Sequence, residues 1–270
     1  MNRSKVRVLL SAFAAVALAA GGCGKSDNKS NQSSKPAAGG DKGAAGGDKA
    51  AAPTGHGTIV GKVNFTGTPP EMPELKRDAD PVCAKKKMKA ETVVVNENKT
   101  LRNVLVRIKP GTVKGPAPTE PVEIHQQDCM YRPRVQGAVA DQDIKIVNTD
   151  PTTHNVHTFD MREGEGEESL FNLAQPKGAA PITKNANGYQ VIKFKCDVHP
   201  WMLGYIVVSD HPYFAVTGDD GTFKIENVPA GKYTLEAWHE HYGMKTAEVT
   251  VTDKGTAEVA FSYDGTEKPL

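Results

Sequence analysis

Helical periodicity is nearly absent from this chain. Its apolar residues recur instead in β-branched runs and in period-two alternation, so the expected fold class is all-β with sandwich architecture. Charge of one sign is lacking as well. Lys and Arg total 33 against 32 Asp and Glu, a formal net charge of +1. A chain without a basic stripe has no footprint for nucleic acid. The short catalytic frameworks are missing: there is no Gly-rich phosphate loop, no His-Glu-x-x-His and no serine nucleophile elbow. The expectation is a protein that is not an enzyme. The apolar stretch Val8 to Ala20 is too short for a comfortable transmembrane helix. Cysteine is scarce, at four in 270 residues. That length suggests one to two domains, each able to bury a core.

What the N-terminus does have is an export pattern. Arg3, Lys5 and Arg7 form a positive region ahead of the apolar stretch. It ends in Leu18-Ala19-Ala20-Gly21-Gly22-Cys23, which resembles the lipobox of bacterial lipoproteins, with Ala20 standing where Leu is commoner. The resemblance implies a signal peptide over 1–22, with Cys23 as the lipidated residue. A lipid there would anchor a soluble body to a membrane without spanning it. The alternative is an ordinary secretory signal peptide. Gly24, where inner-membrane lipoproteins typically carry Asp, favours the outer membrane. Residues 23–56 are Gly, Ala, Ser, Lys, Asp and Asn with almost no large apolar side chain. They read as a disordered tether with a reach of roughly 30 Å as a flexible coil.

Export bears on the remaining cysteines. Cys196 stands in a cluster of metal-ligand residue types. That leaves Cys83 and Cys129 as a disulfide in an oxidising compartment, or as two buried thiols.

The cluster is Lys195-Cys196-Asp197-Val198-His199-Pro200-Trp201-Met202, preceded upstream by Thr153-His154-Asn155-Val156-His157. A thiolate, an imidazole and a thioether share one short loop. A second imidazole stands at the start of an apparent strand. Two His, one Cys and a weak axial Met are the donor set of a mononuclear blue-copper site. The bland readings are a buried structural cysteine and a gap-filling Met. Their order between two strands argues for ligands. His157 lies three positions after His154, on the opposite strand face, and is expected outside the ligand set. Trp201 shields the site or packs in the core, and Pro200 stiffens the turn after His199.

These residues, over roughly 120–209, resemble the cupredoxins, the small blue copper proteins. The resemblance implies a Greek-key β-sandwich over 119–210 with one type 1 copper. It carries over His154, Cys196, His199 and Met202 as ligands, and Asn155 as the residue whose backbone N–H bonds the Cys196 sulfur. It also implies an exposed His199 edge as the electron port, and a periplasmic or membrane-bound redox protein as partner.

The C-terminal part has its own pattern. Phe214 to Ile225 reads as two strands around an Asp-Gly turn, and Asn227 to Trp238 as a Pro-Gly turn leading into a strand. With Val249-Thr250-Val251 and Glu258 to Tyr263, this resembles the carboxypeptidase regulatory-like (transthyretin-like) β-sandwich. That family's opening Gly-x-Ile-x-Gly-x-Val and following strand stand far upstream here, as Gly57 to Val63 and Asn103 to Val106. The expectation is therefore a discontinuous host over 57–115 and 211–264, with the cupredoxin inserted in one of its loops. A Cys83–Cys129 bond would staple host to insert. Three successive modules are the alternative.

His239 and His241, two apart, would share one face of a strand. They form a weak candidate for a second metal site without a definite third ligand. Lys85-Lys86-Lys87 is a solvated charge run, or a docking point for an acidic partner. Three functions compete: a one-electron carrier, a copper storage or delivery protein, and a surface scaffold whose transthyretin-like part recognises glycan or envelope material.

Overall fold

The computed structural model describes residues 55–162, 166–186, 188 and 190–268. The expected signal peptide, the tether up to residue 54 and the lipidated Cys23 lie outside them. The described chain is all-β, with one short 3-10 turn at Cys83–Lys85. Its strands are β1 (His56–Phe65), β2 (Leu105–Ile108), β3 (Val122–Gln127), β4 (Met130–Arg132), β5 (Val135–Val139), β6 (Asp143–Asn148), β7 (His154–Arg162) and β8 (Gly166–Gln175). They continue as β9 (Ile182–Asn185), β10 (Val191–Lys195), β11 (Leu203–Ser209), β12 (Phe214–Val216), β13 (Thr222–Pro229), β14 (Gly231–His239), β15 (Gly243–Val251) and β16 (Thr256–Tyr263).

Four sheets form two sandwiches. The first faces β13-β1-β16 against β12-β2-β14-β15, around Ile59, Val63, Val106, Leu235, Phe261 and Tyr263. The second faces β4-β3-β6-β9 against β5-β11-β10-β7-β8, around Ile124, Ile146, Val156, Phe194 and Ile206. Period-two alternation decides which side chains turn inward. Along β7 the buried positions are His154, Val156, Thr158 and Asp160; along β10 they are Ile192 and Phe194.

The chain leaves the first sandwich after β2 and returns at β12, which pairs with β2 through Arg107↔Phe214 and Leu105↔Val216. Everything from β3 to β11 belongs to the second sandwich. The exit and return lie side by side, since Gly111 N–H donates to Asp210 Oδ2 at 2.8 Å.

β11 is buried along nearly its whole length because it serves two cores. Ile206 and Val208 face the second sandwich, while Tyr205 and Val207 meet Leu105 and Trp238 of the first. One ion pair and one hydrogen bond cross that junction. Arg134 grips Glu240 through two hydrogen bonds of 2.5 and 2.8 Å. Arg107 holds Glu236 at 3.0 Å and donates to the Val208 carbonyl at 2.7 Å.

Two local expectations change. Phe214–Val216 and Thr222–Pro229 do not form a hairpin: β12 pairs with β2, and β13 with β1. The Asp-Gly segment is an arch between facing sheets, where Gly221 at φ +69° presses against the Thr100 side chain too closely for any Cβ. Val93-Val94-Val95 makes only an isolated bridge, Val95↔Leu101, rather than a strand. It belongs to the long excursion between β1 and β2, whose 66–91 part crosses onto the second sandwich. There the Cys83–Cys129 disulfide ties it down, with Glu91 bound to Arg132 at 2.6 and 2.8 Å.

Candidate metal centre

His154 opens β7, and the turn before it fixes its ring. Asn148 closes that turn by accepting the Asp150 N–H at 3.0 Å, and its amide donates to the Thr152 and Gln175 carbonyls at 2.9 Å each. β10 lies antiparallel to β7 with Lys195↔His157 in register, so Cys196 emerges beside His154 and Asn155. The 196–202 loop then folds back, with Met202 N–H donating to the His199 carbonyl at 2.9 Å. β11 closes it through Lys195↔Leu203.

The result is a convergent, buried group. His154 Nδ1 and His199 Nδ1 are 2.8 Å apart. Cys196 Sγ lies 3.9 Å from the first and 3.7 Å from the second. All three residues are buried, and their donor atoms lie within 4.8 Å of one another. Met202 is fully buried in the same core as Cys196.

Asn155 holds the sulfur's other side. Its backbone N–H donates to Cys196 Sγ at 3.5 Å, and its Oδ1 accepts the Asp197 N–H at 2.7 Å. Trp201 is half-buried, with its ring 5.2 Å from that of His199 and its indole N–H on the Cys129 carbonyl at 3.0 Å. Pro200 is exposed. His157 turns outward to Asp197 and Ser169, at 3.0 Å each, and stays out of the group.

Each inner histidine has a carboxylate behind it. His154 Nε2 meets Asp150 Oδ2 at 2.9 Å, and His199 Nε2 meets Asp80 Oδ2 at 3.1 Å. With both Nε2–H groups committed to carboxylates, each Nδ1 presents a lone pair. Two lone pairs at 2.8 Å repel unless a cation or a shared proton stands between them. Burial works against a charged His154, but hydrogen bonds to Asp150 and Cys196 overcome it and hold its pKa at about 9. Burial likewise pushes the Cys196 thiol up, and the His154 and backbone N–H bonds more than reverse this, so it ionises more readily than an ordinary thiol. Burial and the neighbouring His154 charge both lower the pKa of His199. A soft thiolate and two imidazole lone pairs in a dry pocket fit a bound soft or borderline metal ion.

Asp80 and Asp150, the carboxylates behind the two rings, were given no role by motif reading. Asp150 sits inside the turn before His154. Asp80 is 119 positions from His199 and gives no spacing signal. Two further His/Cys/Asp groups, Asp80-Cys83-His199 and Cys129-Asp150-His154, are extensions of the same site. Their cysteines are bonded to each other.

The structure does not bring His239 and His241 together as a same-face pair. β14 ends at His239, so the two do not share a strand face. His239 is buried, with its Nδ1 accepting the His241 and Tyr242 N–H groups at 3.1 and 3.3 Å. His241 is exposed in the turn. The expected exposed edge of His199 is also overturned: that residue is 1% exposed, because Asp80 and its segment cover it.

Residues 205–263 match the family model of the carboxypeptidase regulatory-like domain. The match starts inside β11 and ends at β16, while β1 and β2 complete that sandwich from upstream. No curated protein matches the chain in sequence. Among solved structures, a purple cupredoxin from Nitrosopumilus maritimus is 21% identical, covering 33% of this chain and 99% of its own, with a TM-score of 0.28. Amicyanin from Paracoccus versutus is 18% identical, covering 38% and 97%, with a TM-score of 0.29. A copper-containing nitrite reductase from Thermus scotoductus is 19% identical, covering 37% and 25%, with a TM-score of 0.28.

Proposed function

We propose that the chain is a lipid-anchored cell-envelope protein that carries single electrons on one type 1 copper ion. His154, Cys196 and His199 would hold the ion, with Met202 as the weak axial donor. The observation that carries this reading is the meeting of two imidazole Nδ1 atoms and one sulfur, 2.8 to 3.9 Å apart, where solvent does not reach. Thiolate and thioether sulfur suit Cu(I), and imidazole suits either oxidation state. A bound copper would supply one-electron chemistry. The chain's own part is to fix the donors: β7 and β10 set His154 and Cys196, Asn155 steadies the sulfur, and Asp150 and Asp80 orient the two rings. A site already shaped by packing changes little when the charge of its occupant changes. The reading is of a carrier, not a catalyst. Its partner would be a periplasmic or membrane-bound redox protein within reach of a tether anchored at Cys23.

A visible and EPR titration of the exported protein with Cu(II) tests this. An intense blue band with narrow copper hyperfine splitting, saturating at one equivalent, is the expected result. Colourless, chelator-labile binding would replace the carrier with a copper storage or delivery protein. No binding would leave a scaffold whose ligand, glycan or other envelope material, is sought on the first sandwich.

A further inference from the structure

The carboxylate on His199 comes from neither strand sheet of the ligand-bearing sandwich. Asp80 belongs to the 66–91 segment, which leaves the first sandwich after β1 and crosses to the second. Each of its contacts is specific. Asp80 Oδ1 accepts the Val82 and Cys83 N–H groups at 2.7 and 3.3 Å. Oδ2 accepts the Thr152 hydroxyl at 2.7 Å and faces His199 Nε2 at 3.1 Å. The segment is pinned on both sides of Asp80. Arg77 is buried and donates to the Lys86 carbonyl at 2.8 Å and to the Asp128 carbonyl. Cys83 is bonded to Cys129.

We propose that Asp80 is a positioning residue for the metal centre: it fixes His199 through its Nε2–H, makes that imidazole a stronger donor, and closes its edge to solvent. This rests on the copper reading above. A carboxylate accepting the far N–H of a ligating imidazole raises the ring's basicity and fixes its tautomer. A more basic donor favours the more highly charged oxidation state, so the centre sits at a lower potential than it would with that N–H in water. The segment acts as a fixed strap, carrying one carboxylate to one ring nitrogen and keeping water from it.

The test is the reduction potential of the copper-loaded Asp80→Asn protein. Asn keeps an oxygen for the Val82 and Cys83 N–H groups and removes the charge. The expected result is a blue band like the parent's and a Cu(II) affinity about 10-fold weaker relative to Cu(I). For one electron that is a rise of about 59 mV. An unchanged or lower potential in a protein that still binds copper overturns the proposal. If the variant does not fold, the unaltered protein decides the matter in its Cu(I) form. Proton NMR should show a His199 Nε2–H signal shifted downfield and slow to exchange with water, and a fast-exchanging signal overturns the proposal. Failure of the unaltered protein to bind copper is a separate result, which removes the copper reading itself.

Discussion

Under the copper reading, Cys196 is the residue on which a blue colour would depend. Replacing it with Ser exchanges a soft thiolate for a hard hydroxyl of almost equal size. The expected outcome is a folded Cys196→Ser protein without the intense blue band and without reversible one-electron chemistry, checked by absorption and cyclic voltammetry. Retained colour would show that the sulfur is not a ligand. This residue was legible in the sequence because its companions are local. His199 and Met202 lie on the same loop, and His154 opens the strand paired with the one that ends at Lys195. Asp80 was not legible, because nothing within a few positions of it announces a contact with His199.

His239 gives a second test at the same scale. Burial first, then the charges of His241 and Arg134, push its pKa down to about 3. The ring is therefore neutral when folded, and it ionises near 6.5 once unfolded. The unfolded state then binds more protons below that value, so its contribution is complete above pH 6.5 and is lost as pH falls towards 3. The slope approaches 1.4 kcal/mol per pH unit. Urea denaturation at pH 7, 5.5 and 4.5 should show this loss. A His239→Asn protein, which keeps an acceptor for the His241 and Tyr242 N–H groups, should show a flatter profile.

Among the elements, the strands flanking the metal-ligand residues and those of the C-terminal part were legible, whereas β3, β4, β5, β8 and β9 were not singled out, and pairings were less legible still. The alternation of β6, β7 and β10 follows directly from side-chain period, since one face of each turns to a core. Pairing does not follow from period. Phe214–Val216 and the strand starting at Thr222 flank an Asp-Gly segment that suits a hairpin, yet each finds a partner more than a hundred positions upstream. Asn103 to Ile108 and His56 to Phe65 are those partners, and only the repeat of a family pattern pointed to them. His239 and His241 fail as a same-face pair for a similar reason: the strand stops between them.

The 66–91 segment holds no strand, only the short 3-10 turn at Cys83–Lys85 and an isolated bridge, and covalent attachment compensates for that. Cys83 and Cys129 are 46 positions apart. Replacing both with Ala is expected to lower stability by about 4 kcal/mol, as loop closure over that length suggests. It should also speed solvent exchange at His199. Denaturation midpoints and hydrogen exchange would check this, and an unchanged midpoint would mean that non-covalent contacts alone hold the segment.

At the scale of the molecule, the two sandwiches share a dry junction rather than a hinge. Arg134 and Glu240 are 3% and 2% exposed, beside the Tyr205–Trp238 ring contact at 5.5 Å. Breaking a buried pair by removing one partner leaves a charge without compensation. Glu240→Ala should therefore cost about 3 to 5 kcal/mol, and a double replacement by apolar residues of similar volume should cost far less. Calorimetry gives a second reading. One cooperative transition in the parent, splitting into two in Glu240→Ala, is the expected outcome; two transitions in the parent would show that the junction does not couple the sandwiches.

β1 enters the first sandwich as its central strand, between β13 and β16. With β16 it runs parallel in unbroken register from Thr58↔Thr256 to Phe65↔Tyr263. Any tension on the chain upstream of His56 is therefore applied along a strand gripped on both edges. The ladder bonds on either side are loaded in shear and must yield together, rather than peeling one at a time. Under the proposed anchoring at Cys23, a pull from whatever docks on the body would be met by a strand held on both sides rather than by an edge.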